Sequence, residues 1–457
     1  MKKIYFVGAG GIGMAALERY FLSQGYSVAG YDRTPTDLTR ALQKEGVAIT
    51  FDDSAEAIPE TFRDPAETLV VYTPAIPDSH PGLTYFRENG FEVVKRAAVL
   101  GKITRDSKGL CFSGTHGKTT TSSMAAHLLE VIGIGSNAFL GGILRNYDSN
   151  FLLSDSSPYS VIEADEFDRS FHHLRPYVAV VTATDPDHLD IYGTEEAYLE
   201  SFAHFTELVK PGGRLLVHEG LKLVPRPGED VKVYTYGKES GDFHAENIRR
   251  GAGEIVFDFV SPTVKIKDIS LGVPVEINIE NAVAAISAVY LADPTLISAE
   301  AVREATGSFM GPKRRFEFWL KEEGPRGRAI IDDYAHHPDE LRASISSVKA
   351  LYPDRCLTVA FQPHLYTRTR DFAPQFAEAL SLADDVILVD IYPAREEPIP
   401  GVTSKIIYDR VTAPKKSLIE KKDLVKTVEN SNFEVLLTVG AGDMCDLLPE
   451  ILEEIKK

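Results

Sequence analysis

Apolar runs that end in glycine turns or polar clusters recur along this chain and restrict the folds it can adopt. The first run, residues 4–7, leads directly into glycines and is followed by a helical stretch to about Gln24. Short continuous apolar runs are typical of parallel strands buried on both faces of a sheet. Ligands of open α/β sheets bind beyond the carboxyl ends of the strands. The pattern therefore predicts an α/β protein whose functional residues lie at those ends.

The length of 457 residues exceeds what one hydrophobic core usually supports and predicts about three domains. A strand–helix–strand pattern over residues 1–105 predicts a Rossmann-like N-terminal domain. A second strand–loop–helix unit predicts a central P-loop ATPase-like α/β domain over residues 106–307. Four further apolar runs predict a C-terminal Rossmann-like α/β domain over residues 308–457.

Charge and composition argue against several classes of protein. The net charge of -18 argues against nucleic acid as a partner, because phosphate backbones attract basic surfaces. No run of about 18 apolar residues occurs, so we expect no insertion into a membrane. The three cysteines are far apart in the sequence, which fits a reducing cytoplasm and predicts a cytoplasmic protein. None of these features predicts the oligomeric state.

The first glycine-rich stretch, residues 8–13, is called the glycine loop below. Gly8, Gly10 and Gly13 match the pattern G-x-G-x-x-G between a strand and a helix, and Asp32 ends the next strand. Such a turn lets the backbone approach a diphosphate that faces the helix N-terminus. The glycine loop therefore predicts a ligand that carries a diphosphate. The alternative is that these glycines only close a β–α turn.

The second glycine-rich stretch, "GTHGKT" at residues 114–119, is called the phosphate loop. Only two residues separate Gly114 from Gly117, whereas the usual P-loop has four between its glycines. Backbone N–H groups of such a turn bind phosphates, Lys118 can neutralise them, and Thr119 can bind magnesium. A strand before the loop and a helix after it favour phosphate binding over a merely solvated lysine.

Acidic residues follow two strands of the predicted central domain. Glu163, Asp165, Glu166 and Asp168 crowd the end of one strand, where their mutual repulsion favours a bound cation. Carboxylate oxygens suit Mg²⁺, the alternative being a solvated acidic loop. His188, between Asp187 and Asp190, follows the next strand and is a candidate for a second metal or a phosphate.

Basic and histidine-bearing clusters follow strands of the predicted C-terminal domain and indicate a binding surface. Their members are Lys313, Arg314 and Arg315; Asp333, His336 and His337; and His364, Arg368 and Arg370. An arginine there can bind a nucleotide with its planar donor groups. Two glycine-rich phosphate sites do not suit a simple dehydrogenase. They predict an ATP-using enzyme with a diphosphate-containing substrate, which leaves kinase, ligase and ATPase open.

Taken together, the motifs resemble those of the Mur ligases over nearly the whole chain. The matching stretches, in family order, are "GAGGIGM", "GTHGKTTTSSM", "EADEFDRSF", "DHLDIYG", "ENAVAAI", "GPKRRFE", "DDYAHHPDE", "FQPHLYTR" and "GAGD". The resemblance implies ATP-dependent ligation of L-alanine to the lactyl carboxylate of UDP-N-acetylmuramate, through an acyl phosphate, in peptidoglycan synthesis. The implied cofactors are ATP and Mg²⁺.

The resemblance also implies roles for individual residues. The implied UDP-sugar contacts are Gly10, Gly11, Ile12, Gly13, Asp32, Thr73 and Arg96. The implied ATP contacts are Gly114, Thr115, His116, Gly117, Lys118, Thr119, Thr120, Asn278, Asn281, Arg314 and Asp333. The implied amino-acid contacts are Tyr334, His336, His364 and Arg368. The implied metal ligands are Thr119, Glu163 and His188, and the implied catalytic residues are Lys118, Glu163 and His188.

Three positions depart from the family pattern. Ile277 replaces a usual histidine, Leu365 replaces a usual arginine, and Phe167 replaces a common serine. Leu365 and Ile277 leave the amino-acid selectivity open. The general base, for which His336 and His364 are candidates, and the metal preference also stay open. The alternatives are a ligase that recycles a preformed tripeptide onto the same UDP-sugar, a nicotinamide-dependent oxidoreductase, and a non-catalytic nucleotide-binding scaffold.

Overall fold

The computed structural model describes residues 2–186, 189–251, 253–322, 324, 327–394 and 396–456. The chain divides into two compact units. The first comprises Met1–Glu246, Asp258–Ile269 and Glu280–Thr306, and the second comprises Asn247–Phe257, Ser270–Ile279 and Gly307–Lys457. The domain boundaries after residues 105 and 307 stay predictions.

The first sheet carries the glycine loop. Its strands are β1 (Lys3–Val7), β2 (Ser27–Tyr31), β3 (Ala48–Thr50), β4 (Thr68–Tyr72) and β5 (Glu92–Lys95), and its helices are α1 (Ile12–Ser23), α2 (Asp37–Glu45), α3 (Pro81–Glu88) and α4 (Arg96–Asp106). All strands are parallel, in the order β3-β2-β1-β4-β5. The order reverses at β1, so the glycine loop lies at the switch point where α/β sheets bind ligands.

The second sheet carries the phosphate loop. Its strands are β6 (Lys108–Ser113), β7 (Asn137–Leu144), β8 (Ser149–Leu152), β9 (Tyr159–Glu163), β10 (Val178–Val181), β11 (Arg214–His218) and β12 (Lys232–Tyr236), and its helices are α5 (Lys118–Val131), α6 (Leu189–Tyr192) and α7 (Glu195–Glu207). The order is β12-β11-β10-β6-β9-β7-β8, with β8 antiparallel to β7 and the other pairs parallel. Since β6 lies between β9 and β10, the loops after all three strands meet at one edge.

A smaller sheet follows in the sequence. It consists of β13 (His244–Gly251), β14 (Glu254–Val260) and β15 (Lys265–Ser270), in that order, and is followed by α8 (Ile277–Ala292) and α9 (Ala299–Ser308). Helix α8 is apolar almost throughout, and its alanines, valines and isoleucines from residue 279 onward are buried.

The last sheet has six strands. They are β16 (Glu317–Lys321), β17 (Ala329–Asp333), β18 (Leu357–Phe361), β19 (Asp385–Leu388), β20 (Lys415–Leu418) and β21 (Val435–Val439), with helices α10 (Pro338–Leu351), α11 (Tyr366–Leu380), α12 (Lys405–Tyr408), α13 (Leu424–Glu429) and α14 (Leu448–Ile455). The order is β16-β17-β21-β18-β19-β20, and only the edge strand β16 is antiparallel to its neighbour. The loops after β17, β18 and β21 are therefore neighbours.

The predicted α/β class is confirmed, because among the described residues three of the four sheets are wholly or mainly parallel and helices connect their strands. Nearly all residues of β1, β6, β9 and β10 are buried, as expected for strands covered on both faces. Within the described residues, no helix has the length and apolar character needed to cross a membrane.

Candidate active site

The glycine loop is held by the end of β2. The N–H groups of Gly8 and Ala9 each donate to the Tyr31 carbonyl at 2.8 Å. The N–H of Gly10 donates to Oδ2 of Asp32 at 2.6 Å. A side chain at residue 10 would have its Cβ only 2.8 Å from that oxygen, so it would displace the Asp32 carboxylate from the loop. The carboxylate of Asp32 thus fixes the shape of the loop.

The other predicted UDP-sugar residues lie beside the same loop. A Cβ at Gly8 would approach Cγ2 of Thr73 to 2.7 Å, and a Cβ at Gly13 would approach Nη1 of Arg96 to 2.7 Å. Ile12 is 39% exposed although it is apolar. The structure therefore brings together the loop, a threonine and an arginine, which suit a diphosphate and a sugar.

The phosphate loop connects β6 to α5 through two glycines with positive φ angles, Gly114 at +141° and Gly117 at +82°. The two residues that follow the neighbouring strand β10 fix the loop. The Thr115 N–H donates to the Ala183 carbonyl at 3.1 Å, and Oγ1 of Thr182 donates to the His116 carbonyl at 2.5 Å. The turn has only two residues between its glycines, and α5 starts directly after it, at Lys118.

The Lys118 side chain lies across the phosphate loop. Its ammonium donates to the Gly114 carbonyl at 2.6 Å and to Oε1 of Glu166 at 2.9 Å, and it lies 2.8 Å from Oε2 of Glu166. From the sequence, Glu166 is predicted only as a member of an acidic cluster, with no partner. Its position three residues after Glu163, beyond the end of β9, was the available signal.

Two of the predicted magnesium ligands are neighbours. The Thr119 hydroxyl forms a hydrogen bond with the Glu163 carboxylate, and Oε2 of Glu163 accepts from the Gly141 N–H at 3.0 Å. Burial raises the pKa of Glu163, and the bond from Thr119 and the Lys118 charge oppose that rise. A hydroxyl and a carboxylate beside a phosphate loop are hard oxygen donors that fit Mg²⁺. A bound cation would offset the cost of burying this carboxylate.

The third predicted ligand, His188, lies outside the described residues, as does Asp187. Within the described part of the chain, no three His, Cys, Asp or Glu side chains form a metal-binding group. The roles of Thr119, Glu163 and His188 as metal ligands therefore stay predictions.

Helix α8 supplies an amide to the phosphate loop. Oδ1 of Asn281 accepts from the Thr121 hydroxyl at 3.1 Å, and a Cβ at Gly117 would lie 3.0 Å from that oxygen. Asn278 donates instead to the Val273 carbonyl at 3.1 Å. Ile277, which replaces the family's usual histidine, is 56% exposed.

In the second unit, the Arg314 guanidinium binds the loop after β21. It donates to the carbonyls of Gly440 and Gly442 and, at 3.3 Å, to Oδ2 of Asp332. The guanidinium also lies over the ring of Tyr334, 5.0 Å from its centroid. The family stretch "GAGD" thus binds Arg314, which is predicted from the sequence to contact the nucleotide.

The carboxylates at the end of β17 are buried. Burial raises the pKa of Asp332 to about 6, and bonds from Thr438 and Arg314 oppose the rise. Burial also raises the pKa of Asp333, whose carboxylate accepts from the Phe316 N–H at 3.3 Å. Asp333 therefore also supports the backbone that leads into β16.

The predicted amino-acid residues form one cluster in this unit. The rings of His336 and His364 lie 6.2 Å apart, and Nη1 of Arg368 is 3.3 Å from Nδ1 of His364. Burial and the Arg368 charge lower the pKa of His364. Leu365, which immediately precedes α11 and has φ +69°, has a backbone conformation that is rare for a leucine. Tyr334 joins the cluster through its carbonyl, 3.0 Å from Nδ1 of His336.

Comparison with known proteins gives three family profiles in sequence order. They are described as "Mur ligase family, catalytic domain" at residues 3–108, "Mur ligase middle domain" at residues 112–289, and "Mur ligase, glutamate ligase domain" at residues 314–445. The three profiles together span most of the chain and support the three-domain α/β architecture.

Curated relatives match from end to end. The UDP-N-acetylmuramate–L-alanine ligase of Phocaeicola vulgatus is 58% identical and covers 100% of this chain and 99% of the relative. The protein of the same name from Parabacteroides distasonis is 59% identical and covers 99% of this chain and 96% of the relative.

Solved structures agree in fold. The crystal structure of UDP-N-acetylmuramate-alanine ligase from Thermotoga maritima matches with a TM-score of 0.79 and 28% identity, over 99% of both chains. A murein peptide ligase from Psychrobacter arcticus matches with a TM-score of 0.61 and 21% identity, over 100% of this chain and 99% of that chain, which supports the fold alone. Because close relatives cover the whole chain and the three profiles follow one another along it, this protein belongs to the Mur ligase family.

Proposed function

We propose that this protein is an ATP-dependent ligase that joins L-alanine to the lactyl carboxylate of UDP-N-acetylmuramate in the synthesis of peptidoglycan precursors. The observation that carries this proposal is the 58% identity, over the whole chain, with a relative named for that acid and that amino acid. The two separate glycine-rich loops supply the two phosphate sites that such a reaction needs, one for the UDP-sugar and one for ATP.

In this proposal the glycine loop binds the diphosphate of the UDP-sugar. Asp32 keeps the loop in shape through Gly10, and the Arg96 guanidinium beside Gly13 offers several N–H donors to phosphate or sugar oxygens. The Thr73 side chain lies next to Gly8, with its Cγ2 methyl group toward the loop. These residues fit the diphosphate of a UDP-sugar better than a nicotinamide dinucleotide. The Asp32 carboxylate accepts a hydrogen bond from the loop backbone and is therefore not available to bind a ribose hydroxyl.

The phosphate loop binds ATP in this proposal, and the reaction has two steps. A lactyl carboxylate oxygen attacks the γ-phosphorus of ATP, which gives an acyl phosphate and ADP. The amine of L-alanine then attacks the acyl carbon, and the C–O bond to phosphate breaks. The Lys118 ammonium stabilises negative charge on the transferring phosphoryl group.

Thr119 and Glu163 would hold Mg²⁺, together with His188 as the resemblance implies. The ion would supply positive charge that reduces repulsion between the carboxylate and the triphosphate. In the second unit, Arg368 and the neighbouring His336 and His364 would bind the amino acid, with Arg368 suited to its carboxylate. Arg314 and Asp333 stay predicted nucleotide contacts.

The test is phosphate release from ATP and Mg²⁺ with UDP-N-acetylmuramate, comparing L-alanine, other amino acids, the tripeptide and no amine. We expect release that requires both the UDP-sugar and L-alanine. Release with the tripeptide alone would identify a recycling ligase instead. Absence of release with every amine would contradict the proposed activity, and the selectivity for L-alanine would show whether Leu365 is tolerated.

A further inference from the structure

The Lys118 ammonium is held between two acceptors that belong to different parts of the central sheet. One is the Gly114 carbonyl of its own loop, 2.6 Å away, and the other is the Glu166 carboxylate after β9, with oxygens at 2.9 and 2.8 Å. A lysine ammonium has three N–H donors and no acceptor. These two bonds use two of its donors, so one N–H remains for a phosphate.

Glu166 cannot easily follow the ammonium if it moves. Its side chain is only 2% exposed. Its carbonyl accepts from the Tyr192 hydroxyl at 2.5 Å and from the Arg169 N–H at 3.0 Å, which fixes the backbone at this residue. A buried carboxylate that loses its cation is strongly unfavourable. The pair therefore favours a Lys118 that stays in contact with Glu166 when a nucleotide binds.

We propose that Glu166 is a positioning residue for phosphoryl transfer, whose carboxylate fixes Lys118 so that its remaining N–H points to the phosphates held by the loop. This inference rests on the proposed function for its kinetic consequence. The pairing itself depends only on the observed contacts.

Loss of the Glu166 carboxylate should affect the turnover rate and the nucleotide affinity differently. Without the Glu166 charge, Lys118 loses its fixed direction, and misplacement by about 1 Å costs on the order of 100-fold in rate. The site also becomes more positive by one charge, which favours an anionic nucleotide. Nucleotide affinity should therefore hold or improve while turnover falls. A general collapse of the loop would weaken both.

The kinetic test compares Glu166→Gln, Glu166→Asp and the wild type in the phosphate-release assay with L-alanine. Asp155→Asn, which removes an exposed carboxylate of the same domain, is the control for charge loss. We expect Glu166→Gln to lower kcat by about 100-fold with no rise in KM for ATP, and Glu166→Asp to restore part of kcat. A kcat within about threefold of the wild type, or a KM for ATP that rises along with the loss of kcat, would overturn the proposal.

A second measurement tests the pairing even if the proposed activity is wrong. Melting temperatures are compared for Lys118→Met, Glu166→Gln and the double variant. We expect Lys118→Met to melt below the wild type, because it leaves a buried carboxylate without its cation, and the double variant to recover most of that loss. Simple addition of the two single effects would show that the residues do not act as a pair and would overturn the proposal.

Discussion

At the residue scale, the shape of the phosphate loop depends on the absence of a Cβ atom at Gly114. Gly114 has φ +141°, and a Cβ there would contact Oγ1 of Thr182 and lie 2.7 Å from the Ala183 nitrogen. We predict that Gly114→Ala lowers kcat/KM for ATP by at least about 100-fold in the phosphate-release assay, because the loop must move away from Thr182 and Ala183. The matched control is Gly133→Ala, which has φ +82° and no atom within 4 Å of the new Cβ.

The control should cost about 1–2 kcal/mol in the free energy of unfolding, as expected for a left-handed residue, while the enzyme stays active. Equal loss of activity in the two variants would show that backbone strain alone, rather than contact with Thr182 and Ala183, explains the effect.

Asp332 should make the stability of the second unit depend on pH. Its folded-state pKa of about 6 lies above the ordinary value of about 3.9. Its contribution is thus fully present below pH 4 and is lost as the pH rises through 6, because the unfolded chain ionises first.

We predict that, between pH 4 and 6, the wild type loses on the order of 2 kcal/mol of unfolding free energy relative to Asp332→Asn. Trp319, the only tryptophan, lies in β16 beside β17 and reports this unfolding through its fluorescence in urea. Identical pH profiles for the two proteins would contradict the raised pKa.

At the scale of an element, the strand–turn–helix unit β1–α1 depends on the neighbouring strand β2. The Gly10 N–H donates to the carboxylate of Asp32, directly after β2, so we expect Asp32 to act on the proposed UDP-sugar site through the loop. We predict that Asp32→Ala raises KM for UDP-N-acetylmuramate by about 10-fold, since a hydrogen bond to a charged group is lost. KM for ATP should stay the same.

The control for this element is Asp37→Ala, which removes a fully exposed carboxylate from the first turn of α2. It should leave both KM values near those of the wild type. If Asp32→Ala raised KM for ATP as much as KM for the UDP-sugar, the glycine loop would not be a separate site for the sugar.

At the scale of the whole molecule, the two glycine-rich loops belong to two different sheets. The glycine loop follows β1 and the phosphate loop follows β6, each with its own supporting strands. We predict that Lys118→Ala lowers phosphate release by at least about 100-fold while UDP-N-acetylmuramate still binds with nearly unchanged Kd, measured by calorimetry. Loss of sugar binding in this variant would contradict the assignment of the two substrates to separate loops.

The strands that sequence reasoning recognised are the central, doubly buried ones. Residues 4–7 and the apolar runs that became β6, β10, β18 and β21 read as strands because both of their faces need apolar side chains. Edge strands such as β16, β20 and the β7–β8 hairpin were not recognised. Their mixed sequences are stabilised mainly by backbone bonds to a neighbour, which a single sequence does not reveal.

The sequence by itself determined the α/β class and the family, and it predicted which loops carry the chemistry, because strand burial and glycine turns leave local patterns. Only the tertiary structure decided which residues form hydrogen bonds with these loops. Asp32 binds Gly10, Glu166 binds Lys118, and Arg314 binds the carbonyls after β21, each over a sequence separation of 22 residues or more. Such contacts follow from the order of strands in a sheet. That order depends on how the whole chain packs its helices and strands, so no short pattern encodes it.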